Sequence, residues 1–354
     1  MPANDIQMSE ITALGKKNII PSSMLVEVCY TCNEHCVHCC LDKHTKPGLT
    51  VEQYGDLFDQ MVKAGTFYVI LTGGEPFTRP DFLEIVRSAR KRRLSVTIFT
   101  NATLLTAQQI FELRSLYIDE VHVSVYSADA EIHDRITGSR GSWDRSISAI
   151  KAMLVAGITV RIKCPLMSIT VDGVEEIKHL ARTLGIDVQF STVITAKNDG
   201  CTSTHKFRLR RDQLESVLAD PDVIAQGAEP IAFRENLNCI PCDTVFNGGA
   251  IDPDGNVYPC NQLQIVGGNI LKQSLTKIWK ESPAFKKLRG IRLRDLTECA
   301  NCDLFQRCTR CPGLALLEDG DVLGCSSVAK MVAEARERTD AYPRMTHIFS
   351  QPIG

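Results

Sequence analysis

Residues 24–39 read MLVEVCYTCNEHCVHC and join a predicted strand to three closely spaced cysteines. The apolar, β-prone run over residues 24–29 is typical of a buried strand. Cys32, Cys36 and Cys39 follow it directly with the spacing C-x3-C-x2-C. Three thiolates on one short loop can hold three irons of a 4Fe–4S cube and leave the fourth iron without a protein ligand. Such an open iron is free to bind a substrate or a cofactor directly.

The composition of the chain limits the classes to which it can belong. It has 354 residues, a net charge of −2 and 15 cysteines. A near-neutral charge argues against a broad basic surface for nucleic acid and against a polybasic membrane anchor. No apolar run approaches the roughly 18 residues of a membrane-spanning helix, and the first residues lack the pattern of a secretory signal. We therefore expect a cytoplasmic protein with no nucleic-acid partner and no membrane association.

The number of cysteines is the anomaly in this composition. In a reducing compartment, clustered thiols are more often metal ligands or catalytic groups than disulfides. The alternative to iron and sulfur at the first cysteine cluster is zinc, because a structural zinc site closes with four Cys or His ligands. The fourth ligand of such a site would be His35, His38 or Cys40.

Strand-like and helix-like segments alternate through the first part of the chain. The predicted strands cover residues 24–29, 67–71, 95–100, 121–125, 159–165 and 187–190. This alternation indicates a parallel sheet with right-handed crossovers. Six units are too few for a closed eight-stranded barrel, so the sequence predicts an α/β fold with an open, partial (β/α)6 TIM-type barrel. Ligands of such barrels gather at the C-terminal ends of the strands.

Capping residues mark the ends of the intervening helices. Thr50 and Thr106 each begin a capping-box pattern, and Asp172 is a plausible N-cap for the sixth helix. Glycines stand where helix C-caps are expected, at Gly65, Gly157 and Gly185. Farther along, residues 250–258 are typical of a hairpin with an Asp-Gly turn.

Changes in composition divide the chain into five regions. The expected order is an N-terminal tail, the barrel, a helical bridge, a cysteine-rich domain and a C-terminal helix and tail. Their predicted limits are residues 1–22, 23–200, 201–236, 237–330 and 331–354.

A second motif, Thr72-Gly73-Gly74-Glu75-Pro76, follows the second predicted strand. Two glycines let the backbone approach a ligand closely, and Glu75 supplies a carboxylate for a cationic group. A Gly-Gly-Glu-Pro sequence alone could be an ordinary β-to-α turn. It becomes specific because it lies about one βα unit after the cysteine loop.

These two motifs together resemble the radical S-adenosylmethionine (SAM) superfamily. Cys32, Cys36 and Cys39 match the cluster motif of that superfamily, and residues 73–76 match its motif for the SAM amino group. The resemblance covers residues 24–190 and implies that SAM chelates the open iron of a 4Fe–4S cluster. It further implies that the reduced cluster cleaves SAM to a 5′-deoxyadenosyl radical, while the protein excludes water and aims the radical.

The same resemblance suggests two further SAM contacts. Asn101, after the third predicted strand, resembles the Thr-Asn turn of the family, and Ser124 resembles the serine on its fourth strand. The alternative for each is a satisfied polar group at a strand end. His133, in the following segment, is expected to be a structural hydrogen-bonding residue rather than a base.

Eight more cysteines lie near the C-terminus, in the patterns G-x4-C and C-x2-C-x5-C. They resemble the SPASM extension of radical SAM enzymes, which carries two auxiliary 4Fe–4S clusters. One departure is that Cys308 and Cys311 form C-x2-C, where the family usually has C-x3-C. By this resemblance the first auxiliary cluster is bound by Cys239, Cys242, Cys260 and Cys311, and the second by Cys299, Cys302, Cys308 and Cys325. Fully ligated cubes suit electron relay; a pair of zinc ribbons is the alternative.

The resemblance predicts a radical SAM oxidoreductase that abstracts hydrogen from its substrate. Because SPASM relatives mostly modify ribosomally made peptides, a peptide is the leading substrate hypothesis. The alternative is small-molecule tailoring, such as oxidation of a tetrapyrrole side chain or a sugar-like alcohol. A zinc-binding scaffold is the more distant alternative. Asn261 stands where sulfatase-maturing relatives have an aspartate base, which argues against that reaction.

The remaining expectations concern partners and unassigned residues. About 23 residues precede the first predicted strand, so we expect no embedded leader-recognition domain and instead a separate recognition protein or a small substrate. A flavodoxin- or ferredoxin-type protein is the expected electron donor. The carboxylates of Glu34, Asp252 and Asp254 are interpreted as turn or solvated groups, and Cys29 and Cys164 as small core residues.

Overall fold

The computed structural model of the chain describes residues 15–225 and 237–339. Six strands, β1–β6, pair in parallel in the order in which they occur in the sequence. They are Ser23–Glu27, Tyr68–Thr72, Ser95–Thr100, Glu120–Ser124, Val160–Pro165 and Asp187–Ser191. The helices α1–α6 alternate with them and are Val51–Ala64, Phe82–Lys91, Ala107–Ser115, Ala130–Thr137, Ser142–Val155 and Val174–Leu184. The predicted partial (β/α)6 barrel is confirmed.

The capping residues explain why several helices begin and end where they do. The Thr50 hydroxyl accepts a hydrogen bond from Gln53 N, while the Gln53 side chain accepts one from Thr50 N. Thr106 makes the same reciprocal pair, so both predicted capping boxes are confirmed. Gly65 ends α1 in the left-handed conformation with φ +95°, which costs a glycine little. The N-cap prediction for Asp172 is wrong, because this residue lies in a 3-10 turn ahead of α6.

Three short strands extend the barrel sheet beyond β1. They are β7 (Gly248–Ile251), β8 (Asn256–Tyr258) and β9 (Gly268–Asn269). β7 pairs in parallel with β1, and β7, β8 and β9 pair antiparallel in sequence order. The result is a nine-stranded sheet in the order β6-β5-β4-β3-β2-β1-β7-β8-β9. The hairpin is as predicted, whereas its continuation of the barrel sheet is not evident from the sequence.

Asp252 holds the turn of this hairpin together. Its carboxylate accepts hydrogen bonds from Asp254 N at 2.9 Å, Asn256 N at 2.8 Å and Tyr258 OH at 3.2 Å. Asp252 is therefore a turn residue, as expected. Asp254 pairs with Lys46 from the loop after β1, which joins the turn to the barrel.

The other elements of the described residues are helices and short 3-10 turns. Helices α7–α14 are Arg211–Leu218, Pro221–Ala225, Thr244–Asn247, Leu275–Glu281, Pro283–Gly290, Thr297–Ala300, Pro312–Asp319 and Ser327–Thr339. The 3-10 turns are Pro76–Thr78, Val171–Gly173, His205–Phe207, Leu293–Asp295 and Phe305–Arg307. The predicted bridge contains α7 and α8, and its residues 226–236 lie outside the described residues. Within the part of the chain that the structure describes, no helix is long and apolar enough to span a bilayer.

One continuous hydrophobic core joins the barrel to the C-terminal part. Met24 of β1, Ile251 of β7 and Trp279 of α10 all belong to it and are fully buried. Gln60 of α1 accepts a hydrogen bond from Leu275 N at 2.8 Å, so α10 begins against α1. The two parts are therefore packed as one body.

A buried ion pair also joins the two parts. Glu318 of α13, whose side chain is 3% exposed, pairs with Arg208 and accepts a hydrogen bond from Ala196 N. This contact fixes the segment after β6 against α13. Removing one partner of a buried pair leaves the other charge without compensation.

We expect Glu318→Ala to lower the free energy of unfolding by about 3–5 kcal/mol, because the Arg208 guanidinium then stays buried and unpaired. Urea unfolding followed by circular dichroism under anaerobic conditions measures the loss. Asp212→Ala is the matched control, since its pair with Arg210 is exposed and is worth less than about 1 kcal/mol. Equal losses in the two variants would contradict this role for Glu318.

Candidate active site

The cysteine loop lies at the C-terminal edge of the barrel sheet, between β1 and α1. Two backbone hydrogen bonds attach it to the end of α4: His35 N donates to Thr137 O, and Val37 N donates to Ile136 O, each at 2.9 Å. These contacts flank Cys36 and fix the loop against the segment that follows β4. The position of the loop is therefore set by the barrel rather than by the loop alone.

The glycine turn after β2 packs directly against this loop. Gly74 N donates to Cys29 O and Glu75 N donates to Thr31 O, both at 2.8 Å. A Cβ atom on Gly73 would lie 2.2 Å from Cys29 O, and one on Gly74 would lie 2.3 Å from Thr31 O. The glycines thus permit a close approach to protein backbone, in addition to lining the cavity described below.

Glu75 is fully buried behind the glycine turn. Its carboxylate accepts hydrogen bonds from Phe77 N at 3.0 Å, Thr100 Oγ1 at 2.7 Å and Asn101 N at 2.7 Å. Burial raises the pKa of this carboxyl to about 7, although the three donors oppose the rise. Glu75 therefore joins the end of β3 to the glycine turn, a role that the motif alone did not indicate.

Asn101 connects the end of β3 to the cysteine loop. Its Nδ2 donates to Asn33 Oδ1 at 3.0 Å, and its Oδ1 accepts from Thr103 N at 3.0 Å. Asn33 Nδ2 in turn donates to Thr103 Oγ1 at 2.8 Å. Sequence reasoning missed Asn33, because its partners lie about 70 residues away.

Tyr126 is a second residue that sequence reasoning missed. It follows Ser124 by two positions, lines the same cavity and has its hydroxyl 3.9 Å from Cys36 Sγ. The available signal was its position just after the fourth predicted strand, because ligands of such barrels gather at the C-terminal ends of the strands. His133 accepts a hydrogen bond from Tyr126 N through Nδ1 at 3.2 Å and is buried, which agrees with the structural role predicted for it.

These groups surround one cavity of about 590 Å³ at the C-terminal ends of the strands. The size is typical of a small-molecule site. Several buried polar atoms of the lining have no hydrogen-bond partner among the described residues, and they include Glu34 Oε1, His38 Nδ1 and His44 Nδ1. The expectation that Glu34 is solvated is wrong, because it is 2% exposed. Polar atoms left unsatisfied at one site are consistent with a bound polar cofactor.

The thiols of the loop share this buried setting. All three predicted cluster cysteines line the cavity. Burial raises the pKa of Cys32 to about 12 and raises those of Cys36 and Cys39 as well. Without a ligand these thiols are protonated at neutral pH, so metal loading releases protons.

The second predicted set of auxiliary cysteines converges in the C-terminal part. Together they line one small cavity of about 100 Å³ with Phe305, Arg310 and Lys330. The four residues are Cys299, Cys302, Cys308 and Cys325. They come from a stretch of 27 residues and meet because α12, a 3-10 turn and α13 fold around them.

The first predicted set is partly brought together. Cys242 and Cys260 line a smaller cavity, and the charges of Cys242 and Cys311 help burial to raise the pKa of Cys260 to about 12. Cys239 packs against the apolar cluster that contains Cys299. Its assignment to the first auxiliary cluster remains a prediction, whereas the other three thiols lie near one another.

Cys311 also lines the large cavity, and so does Asn261. One wall of the cavity thus carries Cys311, a predicted ligand of an auxiliary cluster. The same wall carries Asn261, which stands where sulfatase-maturing relatives have an aspartate base. Cys164 and Cys29 are buried core residues, as expected. Within residues 15–225 and 237–339, no three His, Cys, Asp or Glu side chains converge as ligands of a single metal ion.

Comparison with known families agrees with this geometry. The profile described as "Radical SAM superfamily" matches residues 26–184, and the SPASM profile, described as "Iron-sulfur cluster-binding domain", matches residues 239–312. The chain carries a radical SAM domain and a SPASM domain. It is accordingly an enzyme that uses 4Fe–4S clusters and SAM, and the thiols that the structure gathers are of the right kind for such clusters.

Several known proteins are similar over most of the chain. An AdoMet-dependent heme synthase from Methanosarcina barkeri is 27% identical, covering 86% of this chain and 94% of its own length. Mycofactocin maturase MftC from Mycolicibacterium smegmatis is 28% identical, over 81% and 77%. A PqqA peptide cyclase from Ruegeria pomeroyi is 26% identical, over 84% and 85%. Among solved structures, Streptococcus suis SuiB bound to its precursor peptide SuiA is similar in fold, with a TM-score of 0.70, 19% identity and 90% and 78% coverage.

Gly74→Ala should displace the cysteine loop, because the added Cβ would meet two backbone oxygens within 2.6 Å. We expect a loss of about 3 kcal/mol in the free energy of unfolding, the upper end of overpacking costs, together with reduced iron content. Gly290→Ala is the control, since its Cβ would have no atom within 4 Å. Full iron loading and unchanged stability in Gly74→Ala would refute the close-packing argument.

Anaerobic iron and sulfide analysis tests the cysteine assignments. Three cubes require about twelve iron and twelve sulfide per chain. Cys36→Ala and Cys302→Ala are each expected to lose about four of each, while Cys164→Ala keeps the full content. Several zinc atoms with no sulfide would contradict the assignments.

Proposed function

We propose that the chain is a peptide-modifying radical SAM oxidoreductase whose reaction takes place in the 590 Å³ cavity. The observation that carries this proposal is that Cys32, Cys36 and Cys39 line one side of the cavity and Cys311 lines another. A cavity with candidate cluster ligands on two walls suits a reaction in which hydrogen abstraction and electron removal occur near one substrate.

The bound cluster and SAM would supply a radical that removes a hydrogen atom from the substrate. The chain's own residues shape the space around that reaction. The backbone of Gly73 and Gly74 lines the cavity and is the part of the glycine motif that faces a ligand. Glu75 holds this turn against β3, and Asn101 and Ser124 line the cavity from the neighbouring strand ends.

The C-terminal part supplies one wall of the cavity. Val332 and Ala329 of α14 and Leu314 of α13 supply apolar lining opposite the strand ends. A closed, partly apolar site protects a reactive species from side reactions with solvent. Helix α14 also packs against α7, so the wall that α14 contributes to the cavity is held by the fold.

Two kinds of relatives bear on the substrate. The PqqA peptide cyclase acts on a peptide, and mycofactocin maturase belongs with it among the maturases, which supports a peptide substrate. The heme synthase covers 86% of this chain and supports tetrapyrrole chemistry as the second candidate. We favour the peptide because it agrees with the SPASM architecture found here.

Electrons must enter and leave this site from outside the chain. We propose a flavodoxin- or ferredoxin-type donor, and a separate protein that recognises the leader of the substrate peptide. The thiols of Cys299, Cys302, Cys308 and Cys325 line a cavity distinct from the substrate cavity, which suits a cluster that relays electrons.

The reconstituted, reduced protein with SAM and the short peptides encoded beside its gene tests this function. We expect 5′-deoxyadenosine and a mass change in one peptide, with deuterium transferred from the labelled peptide to 5′-deoxyadenosine. Cys36→Ala should abolish SAM cleavage, because it removes a ligand of the SAM-binding cluster. Cys302→Ala should retain SAM cleavage but lower the yield of modified peptide at least about tenfold, since the electron relay is lost.

A matched arm replaces the peptides with a carboxylated tetrapyrrole. Modification of the tetrapyrrole, with none in any peptide, would establish the second candidate. SAM cleavage that never transfers deuterium from either substrate would overturn both.

A further inference from the structure

The lining of the large cavity includes an ammonium group that has no ion pair among the described residues. Lys163 of β5 lines the cavity, and its Nζ lies 3.8 Å from the centre of the Phe99 ring. Phe99 comes from β3 and also lines the cavity. Lys163 is level with Ser124 of β4, and Phe99 lies two residues before Asn101; both occupy positions that alternate with core residues of their strands.

The nearby carboxylate is already used by other groups. Glu120 of β4 pairs with His122 Nε2 at 2.5 Å and accepts a hydrogen bond from Arg161 Nε at 3.3 Å. His122 stacks on Phe99, with ring centres 4.8 Å apart and an interplanar angle of 16°. This arrangement holds the Phe99 ring in place and leaves Glu120 committed to two partners.

The other charged groups of the cavity lining have partners of their own. Arg336 of α14 donates to Arg307 O at 3.1 Å, which anchors it to the SPASM loops. Glu27 accepts a hydrogen bond from Tyr30 OH at 3.1 Å, and Glu34 Oε2 faces Cys36 Sγ. Among the described residues, no ion pair or hydrogen bond includes Lys163 Nζ. This ammonium makes a cation–π contact with the Phe99 ring.

An ammonium group held in a half-buried cavity without a counter-ion is costly to the fold. The contact with an aromatic face offsets part of that cost. Burial, followed by the charge of Arg161, lowers the pKa of Lys163 to about 8. At neutral pH the group is still mostly charged, so an anion that enters the cavity gains a strong partner.

We propose that Lys163 binds a carboxylate of the substrate in the cavity. This inference rests on the proposed function, because it assigns the chemistry by which that same cavity selects its substrate. The carboxylate could belong to a peptide or to a tetrapyrrole side chain, and the experiment separates these sources. The carboxylate of SAM is a third source, because Ser124, a predicted SAM contact, is the direct register neighbour of Lys163. The experiment separates this source as well.

The first test measures protection of Lys163 in the holoprotein. Limited acetylation followed by peptide mass spectrometry reports how reactive Lys163 is with no addition, with SAM alone, and with each probe. The probes are the peptides encoded beside the gene and coproporphyrin, each compared with its form in which the carboxylates are amides or methyl esters. We expect at least about tenfold protection by one acid form, little by its neutral form and little by SAM alone.

The acid that protects Lys163 identifies the source of the carboxylate. Equal protection by the acid and its neutral form, or none by any probe, would overturn the proposal. Protection by SAM alone would also overturn it, because Lys163 would then belong to the cofactor site. None of these protection measurements needs turnover, whereas the proposed function is tested by deuterium transfer during turnover. A negative result for Lys163 is therefore distinguishable from a negative result for the proposed function.

The second test compares variants on whichever substrate is modified. Lys163→Gln should raise KM roughly ten- to a hundredfold, the loss of one charge-assisted hydrogen bond. Lys163→Arg should recover part of the loss because it keeps the charge. Lys151→Gln, on the exposed face of α5, is the matched control. An unchanged KM in Lys163→Gln, or an equal effect of Lys151→Gln, would refute a direct contact.

Discussion

The backbone contact between the cysteine loop and the glycine turn is the constraint on which the site depends. Gly74 N and Glu75 N donate to the carbonyls of Cys29 and Thr31, which places the loop at hydrogen-bonding distance from the end of β2. Only residues without a Cβ can occupy the two turn positions at this distance. Because Glu75 then reaches Thr100 and the backbone after it, one motif fixes the loop, β2 and β3 relative to one another. The cavity is the space that this arrangement leaves above the strands.

The pairing of β7 with β1 has a comparable effect on the other wall. A parallel partner on the free edge of β1 continues the barrel sheet, so the SPASM domain is not attached by a linker alone. The buried Glu318–Arg208 pair fixes the opposite end, near the segment after β6. With both ends held, Cys311 and α14 are presented to the cavity in a defined position. A cluster that relays electrons needs such rigidity, because its distance from the substrate is set by the positions of its ligands.

Local signals in the sequence account for most of the fold and part of the site. All six barrel strands and the capping boxes at Thr50 and Thr106 follow from spacing and residue type. The grouping of the four cysteines from Cys299 to Cys325 follows from the resemblance to the SPASM extension. The contributions of Asn33 and Tyr126 do not, because their partners come from distant segments. The burial of Glu34 could not be predicted from local sequence either. A charged residue in a loop is expected to be exposed to water, but tertiary packing buries this one.

Two kinds of buried charged or polar group occur in this protein, those that pair between its packed parts and those that line the cavity. The buried charges that join its parts, such as Glu318 with Arg208, have partners, because an unpaired charge between packed elements would weaken the fold. In the cavity lining, Glu34 Oε1 and His38 Nδ1 have no hydrogen-bond partner among the described residues, and the Lys163 ammonium lies on the Phe99 ring with no ion pair. Natural proteins accept such local costs where a ligand compensates for them. The cavity therefore combines a fixed frame, set by backbone contacts, with a polar lining whose balance is completed only by what binds there.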